Sequence, residues 1–156
     1  MQEKMQLTPP CNNIPSREDW GDLTGDFDKS DAFDRFYGKS NREMQIAFSR
    51  DPTMRAQDIR FMPRFPFIYY MQGFIDFVLN GTYGNDAPDI ANCLLDVVAE
   101  RMEANSSEVN AIFTPLSKVL DFIVINDKKF NTYPEIYGNL AEKACSIKET
   151  LIYYPE

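Results

Sequence analysis

Apolar residues recur at helical spacing along most of the chain, and this pattern limits the fold more than any other feature of the sequence. The spacing of three and four residues is clearest over 67–79, 90–102 and 109–123, where it gathers apolar side chains on a helix face. No segment alternates apolar and polar residues over six or more positions, as a half-buried strand would. The sequence therefore predicts an all-α fold, a compact single-domain bundle of five to seven helices.

The segment from Phe67 to Leu79 is apolar around most of its circumference. Its polar positions share one narrow stripe: Tyr69, Gln72, Gly73 and Asp76. A helix that is apolar on nearly all sides is typical of a protein interior. We therefore expect this helix at the centre of the fold, beginning near Pro66 and ending at Asn80-Gly81.

The N-terminal part of the chain has a different composition from the rest. Residues 1–30 are rich in proline and glycine and poor in apolar periodicity, which is typical of an irregular segment. Seven acidic and two basic residues fall within 16–34. A chain of 156 residues forms one domain by default. We therefore expect an irregular acidic N-terminal arm over 1–30 and a single helical domain over 31–156.

Several residues mark helix ends. Ser40 followed by Glu43 is a capping-box pattern, which predicts a helix that begins there. Pro115 interrupts the apolar period of 109–123, so it either kinks one long helix or opens a second helix capped by Thr114, and we favour the cap. The stretch 126–132 is expected to be a loop before the last helix.

The chain contains no histidine, the residue that most often serves as general base, metal ligand or activator of a nucleophile. Its three cysteines, Cys11, Cys93 and Cys145, lie far apart without a Cys-x-x-Cys pair, so we interpret them as small buried hydrophobes. The sequence also lacks a calcium-loop pattern and the Glu-x-x-His pattern of di-iron helices. We therefore expect no metal, no cofactor and no catalytic activity.

The net charge of −8 bears on the kind of partner. Nucleic acids and anionic membranes are bound through clustered lysine and arginine, so this acidic chain is expected to bind neither. No apolar run approaches the length of a membrane span, and no signal-peptide pattern is present. We expect a cytoplasmic protein that binds a basic protein partner of complementary charge.

Four carboxylates lie along one face of the helix predicted over 86–103, at steps of three and four residues or multiples of these: Asp89, Asp96, Glu100 and Glu103. The segment has five acidic residues and one basic residue. One interpretation is a solvated helix face, and the other is a docking surface for a cationic partner. The second makes these four residues the candidate partner-binding site.

The region 39–64 has the opposite charge, with six basic and three acidic residues. Internal pairing with the acidic segments is one explanation of these arginines. The other is an anion or carboxylate site built on Arg60 and Arg64, because the planar guanidinium binds carboxylates in a bidentate manner. Both explanations stay open at the level of sequence.

The stretch Arg60–Tyr70, RFMPRFPFIYY, is similar to segments of small uncharacterised bacterial proteins. In size, charge and lack of catalytic residues the whole chain resembles the acidic helical immunity proteins that neutralise polymorphic toxins. The resemblance implies an inhibitor that occludes a basic toxin domain. The alternative is a self-associating structural or adaptor domain, a homodimer for example, that uses exposed parts of the helices over 67–79 and 109–123. A more distant alternative is an enzyme that uses carboxylates and arginines.

Overall fold

The computed structural model describes residues 13–151, which form ten α-helices, one short 3-10 helix and no strand. The helices are α1 Arg17–Trp20, α2 Phe27–Phe36, α3 Asn41–Arg50, α4 Pro52–Arg60, α5 Arg64–Asn80, α6 Ala87–Asn110, α7 Phe113–Ile125, α8 Asp127–Phe130, α9 Pro134–Tyr137 and α10 Leu140–Thr150, with the 3-10 helix at Gly84–Asp86. The all-α prediction is confirmed. The number of helices exceeds the predicted five to seven because three of the ten are single turns of four residues.

The N-terminal arm is more regular than predicted in the part that the structure describes, and residues 1–12 with Cys11 lie outside that part. Ser16 and Asp19 form a capping box that starts α1, and the Asp26 side chain caps α2. Both caps use acidic side chains that the sequence suggested only as surface charge. Trp20, at the end of α1, is fully buried and lies against Phe33 and Tyr70.

Helix α4 is not among the predicted helices, because Pro52 is compatible with the end of one helix as well as with the start of another. Helix α3 does end at Arg50, but Pro52 is also the first residue of α4. Helix α5 likewise begins at Arg64, two residues before Pro66. Proline is accommodated in a first helical turn because the N–H groups there have no intrahelical acceptor.

Helix α5 is the centre of the fold, as predicted. Its apolar side chains are buried over almost its whole length, and it contacts α1, α3, α4, α6 and α7. The polar stripe of α5 faces α3, where Gln45 Nε2 donates to the Gly73 carbonyl at 3.0 Å and Asn41 Nδ2 donates to the Tyr69 carbonyl at 2.8 Å. The stripe therefore joins two helices at Tyr69 and Gly73, while Asp76 at its C-terminal end is exposed.

Two breaks shape the C-terminal half. Asn105 leaves the helical conformation inside α6 (φ −160°, ψ 86°), so α6 is kinked there. A new helix, α7, begins at Phe113 with Ile112 as its N-cap. Pro115 thus lies in the first turn of a separate helix, and the preferred Thr114 cap is wrong because Thr114 is already helical. The loop expected over 126–132 contains the single turn α8.

Candidate functional sites

The four candidate carboxylates lie on α6, which packs its other side against α4, α5 and α10. Asp96, Glu100 and Glu103 are exposed, and Asp89 is half-buried. The Tyr137 hydroxyl donates to Asp89 Oδ1 at 3.3 Å, and Asn92 Nδ2 donates to Asp96 Oδ2 at 3.2 Å. The structure therefore places all four on one accessible side of α6, as the helical spacing predicts. We call this set the acidic face.

One member of the acidic face is paired within the chain. Glu100 Oε1 lies 2.7 Å from Arg60 Nε, and the Glu100 side chain is 58% exposed. Lys143 Nζ also approaches the face, because it donates to Asn92 Oδ1 at 3.1 Å. Among residues 13–151, Asp96 and Glu103 form no ion pair with a basic side chain. Asp89, whose hydrogen bond comes from the neutral Tyr137 hydroxyl, forms no ion pair in this part of the chain either.

Exposed apolar side chains lie beside the N-terminal end of the acidic face. Tyr137, which hydrogen-bonds Asp89, belongs to the single turn α9. Ile136 precedes it and is 66% exposed, and Tyr133 caps the turn and is 47% exposed. Large side chains of this kind supply most of the affinity of protein interfaces. The surface therefore combines charge for steering with apolar side chains for contact.

Arg60 and Arg64, the candidate anion site, have carboxylate partners in the same chain. Arg60 pairs with Glu100, as noted above. Arg64 Nη1 donates to Ser107 Oγ at 3.2 Å and lies 3.9 Å from Glu108 Oε2. The structure thus brings each arginine to acidic or polar groups of α6. Internal pairing accounts for both.

Arg101 and Glu108 form a buried ion pair that the sequence did not reveal. Glu108 is 5% exposed, and its Oε1 accepts from Arg101 Nη1 at 2.6 Å. Arg101 Nη2 also donates to the carbonyls of Arg60 at 3.0 Å and Met62 at 2.7 Å, and the guanidinium lies 4.0 Å from the centre of the Phe67 ring. The pair ties the α4–α5 turn to the kink of α6. Arg101 and Glu108 are seven residues apart, and the kink of α6 brings their side chains together. Their spacing in the sequence therefore does not indicate that they form a pair.

A second buried carboxylate, Asp58, holds two arginines from different helices. Asp58 Oδ1 accepts from Arg35 Nη1 at 2.9 Å, and Oδ2 lies 2.8 Å from Arg55 Nε. Asp58 is 6% exposed. Burial raises the pKa of the carboxyl, and the two guanidinium groups act against that rise. This cluster borders an open cavity of about 470 Å³ between α2, α3 and α4.

The cysteines only partly match their interpretation as buried hydrophobes. Cys93 is half-buried, and burial together with the carboxylates of Asp89 and Asp96 raises its thiol pKa to about 11. Such a thiol stays protonated and is a weak nucleophile near neutral pH. Cys145 is exposed, which corrects the expectation that it is buried, because it faces away from the buried Ala144 and Ile147 of α10.

Within residues 13–151, no group of three or more histidine, cysteine, aspartate or glutamate side chains is arranged to hold a metal ion. The same part of the chain has no helix that is both long and apolar enough to cross a membrane.

Comparison of the chain with protein-family models, with curated proteins and with solved structures finds no match.

Proposed function

We propose that this protein is a non-catalytic, cytoplasmic binding domain of the immunity or antitoxin type, which holds a basic protein partner on its acidic face. The observation that supports the proposal most is the state of Asp96 and Glu103. Both are exposed on one side of α6, and neither forms an ion pair within the described chain. Such unpaired carboxylates on one side of a helix create a negative potential that a basic partner would complement.

In this proposal, the exposed carboxylates and the exposed apolar side chains of the surface have different tasks. Exposed charges raise the association rate and disfavour wrong partners, while contributing little to the final affinity. The exposed Ile136 and Tyr133 beside Asp89 can supply apolar contact area. An inhibitor of a toxin needs fast capture and slow release, and this division provides both.

The proposal is tested with the product of a neighbouring gene. If an adjacent gene encodes a basic toxin domain, its induced expression should stop growth and co-expression of this protein should restore growth. The purified pair should bind with an association rate that falls as salt is raised, because exposed charges are screened. Absence of both growth rescue and binding would refute the immunity function.

Paired charge-reversal variants locate the surface. Asp96→Lys combined with Glu103→Lys should slow association by about tenfold or more. The matched control is Asp76→Lys combined with Glu149→Lys, which changes the net charge equally at exposed positions of α5 and α10. If both double variants slow association to the same degree, net charge and not the acidic face is responsible.

The burial of α5 and α7 gives the self-associating alternative less support than the acidic face has. The apolar side chains of α5 are almost all buried, and those of α7 that face the core are fully buried at Leu116, Val119, Leu120 and Ile123. Within residues 13–151, the exposed large apolar side chains of these two helices are Phe65 on α5 and Ile125 on α7. Light scattering that shows a concentration-dependent dimer would still favour the alternative.

A further inference from the structure

An open cavity between α2, α3 and α4 collects basic side chains in a protein that is otherwise acidic. Four of its lining residues carry positive charge: Arg35, Lys39, Arg50 and Arg55. Glu43 and Asp51 are its acidic lining residues. The remaining wall is apolar and consists of Met44, Ile46 and Ala47. The volume of about 470 Å³ falls within the range of small-molecule sites. We call this space the basic cleft.

The buried Asp58 carboxylate holds two arginines of the basic cleft in place. Asp58 is buried and binds Arg35 from α2 and Arg55 from α4 through different oxygens, at 2.9 and 2.8 Å. A guanidinium has five N–H donors, so each arginine uses only part of its donors on Asp58. Arg55 meets Asp58 through Nε, which leaves the N–H groups of its two terminal nitrogens beyond this contact, and its side chain lines the cavity. These donors are therefore available to a ligand in the cleft.

The acidic residues of the lining offset part of this charge, but the basic lining residues outnumber them four to two. Glu43 accepts from the Ser40 backbone N–H at 2.8 Å as part of the capping box of α3. Asp51 lies at the α3–α4 junction as the C-cap of one helix and the N-cap of the next. Arg50 is exposed, and Lys39 Nζ donates only to the Arg35 carbonyl, at 3.2 Å. Neither basic group is paired with a carboxylate in the described chain, so both add to the positive potential of the cleft.

We infer that the basic cleft binds the phosphoryl group of a small ligand, such as a diphosphate ester. A phosphoryl group offers three acceptor oxygens and close to two negative charges, which match several converging cations better than a carboxylate with two oxygens and one charge does. Arginine forms bidentate, charge-assisted bonds to phosphate. The part of the ligand beyond the phosphates would lie on the apolar wall at Ile46, which is 66% exposed. This site is separate from the acidic face on α6.

Isothermal titration calorimetry with inorganic pyrophosphate and with adenosine diphosphate tests the inference. Both probes should bind saturably. Adenosine diphosphate should bind more tightly than pyrophosphate if the apolar wall contacts the ligand. Arg55→Gln should weaken binding by about tenfold or more, the usual loss for a charge-assisted hydrogen bond. Because this variant also removes a partner of buried Asp58, Arg50→Gln is the second test, with an expected loss of about threefold for an exposed charge.

The control is Arg42→Gln, which removes an exposed arginine from the same helix, α3, without touching the cavity lining. Binding that is weakened by the cleft variants and unchanged by Arg42→Gln supports the site. Three results would overturn it: no saturable binding of either probe, equal weakening by Arg42→Gln, or equally tight binding of the dicarboxylate succinate. None of these results bears on the acidic face, so the two proposals fail independently.

Discussion

The Asn41 side chain occupies the space beside Gly73 that any larger residue at position 73 would need. A Cβ atom built on Gly73 would lie 2.1 Å from Asn41 Oδ1 and 2.9 Å from Asn41 Cβ. Asn41 is anchored there, since its Nδ2 donates to the Tyr69 carbonyl and its backbone N–H donates to the Tyr69 hydroxyl. Gly73 is therefore required by the close crossing of α3 and α5 and not by its backbone conformation, which is helical.

Gly73→Ala should destabilise the protein by about 2 kcal/mol, because overpacking a filled interface costs roughly 1–3 kcal/mol. An alanine in an unobstructed helix would instead stabilise it by up to about 1 kcal/mol, so the sign of the change is diagnostic. Urea unfolding followed by circular dichroism gives the free energy of unfolding. Adding Asn41→Ala should recover part of the loss. A stabilised Gly73→Ala variant would contradict the described crossing.

The buried pair of Arg101 and Glu108 gives a second prediction. Arg101→Met should destabilise the protein by about 3 kcal/mol, because removal of one partner leaves the other charge buried. It also leaves the carbonyls of Arg60 and Met62 without their donor. Arg42→Met is the matched control, since Arg42 is exposed, and its effect should stay within about 0.5 kcal/mol.

Adding Glu108→Gln to Arg101→Met tests whether the two side chains act as a pair. Residues in contact do not contribute independently, so the double variant should lose less stability than the sum of the two single changes. If the double variant loses as much stability as the two single variants together, Glu108 is supported mainly by Asn105, whose Nδ2 donates to Glu108 Oε2 at 2.9 Å.

The helices that the sequence predicted well are those whose signal is local. The Ser40 and Glu43 capping box and the apolar circumference of α5 are each set by residues close together in the chain. Helix α4 escaped prediction because its pattern of apolar residues is weak and Pro52 is compatible with both a stop and a start. The single turns α1 and α8 are too short to show a period.

The spacing of the acidic face was predictable, but the pairing of its members was not. Helical periodicity places Asp89, Asp96, Glu100 and Glu103 on one side of α6. The pairing of Glu100 with Arg60 depends on how α4 packs against α6. The basic cleft depends likewise on three helices meeting at buried Asp58. Such long-range contacts follow from the packing and leave no repeat in the sequence.

Because the Tyr83 hydroxyl is partly buried, we expect the protein to lose stability at alkaline pH. Its hydroxyl donates to the Val78 carbonyl at 2.6 Å, and burial raises its pKa from 10.0 to about 12. Because the folded state holds this proton more tightly than the unfolded state, its contribution is complete below pH 10 and is lost as the pH rises towards 12. Tyr83→Phe should cost about 1 kcal/mol at neutral pH.

Urea midpoints measured at several pH values between neutrality and pH 12 check the Tyr83 prediction. The fall in stability above pH 10 should be less steep in Tyr83→Phe than in the parent protein. Tyr133→Phe is the control, since the exposed Tyr133 side chain should leave the slope unchanged. Identical slopes in Tyr83→Phe and the parent protein would show that Tyr83 titrates alike in the folded and unfolded states.

Glu100 and Asp96 should differ in their effect on partner binding although both are exposed carboxylates of the acidic face. Arg60 lies 2.7 Å from Glu100 and neutralises much of its field, whereas Asp96 accepts from the neutral Asn92 amide and has no basic partner among residues 13–151. Asp96→Asn should therefore slow association with a basic partner more than Glu100→Gln does. Glu100→Gln should change the free energy of unfolding by less than about 1 kcal/mol, since it breaks an exposed pair. Stopped-flow association at low and high salt separates the two variants. If they slow association equally at low salt, the pairing with Arg60 does not shield Glu100 from the partner.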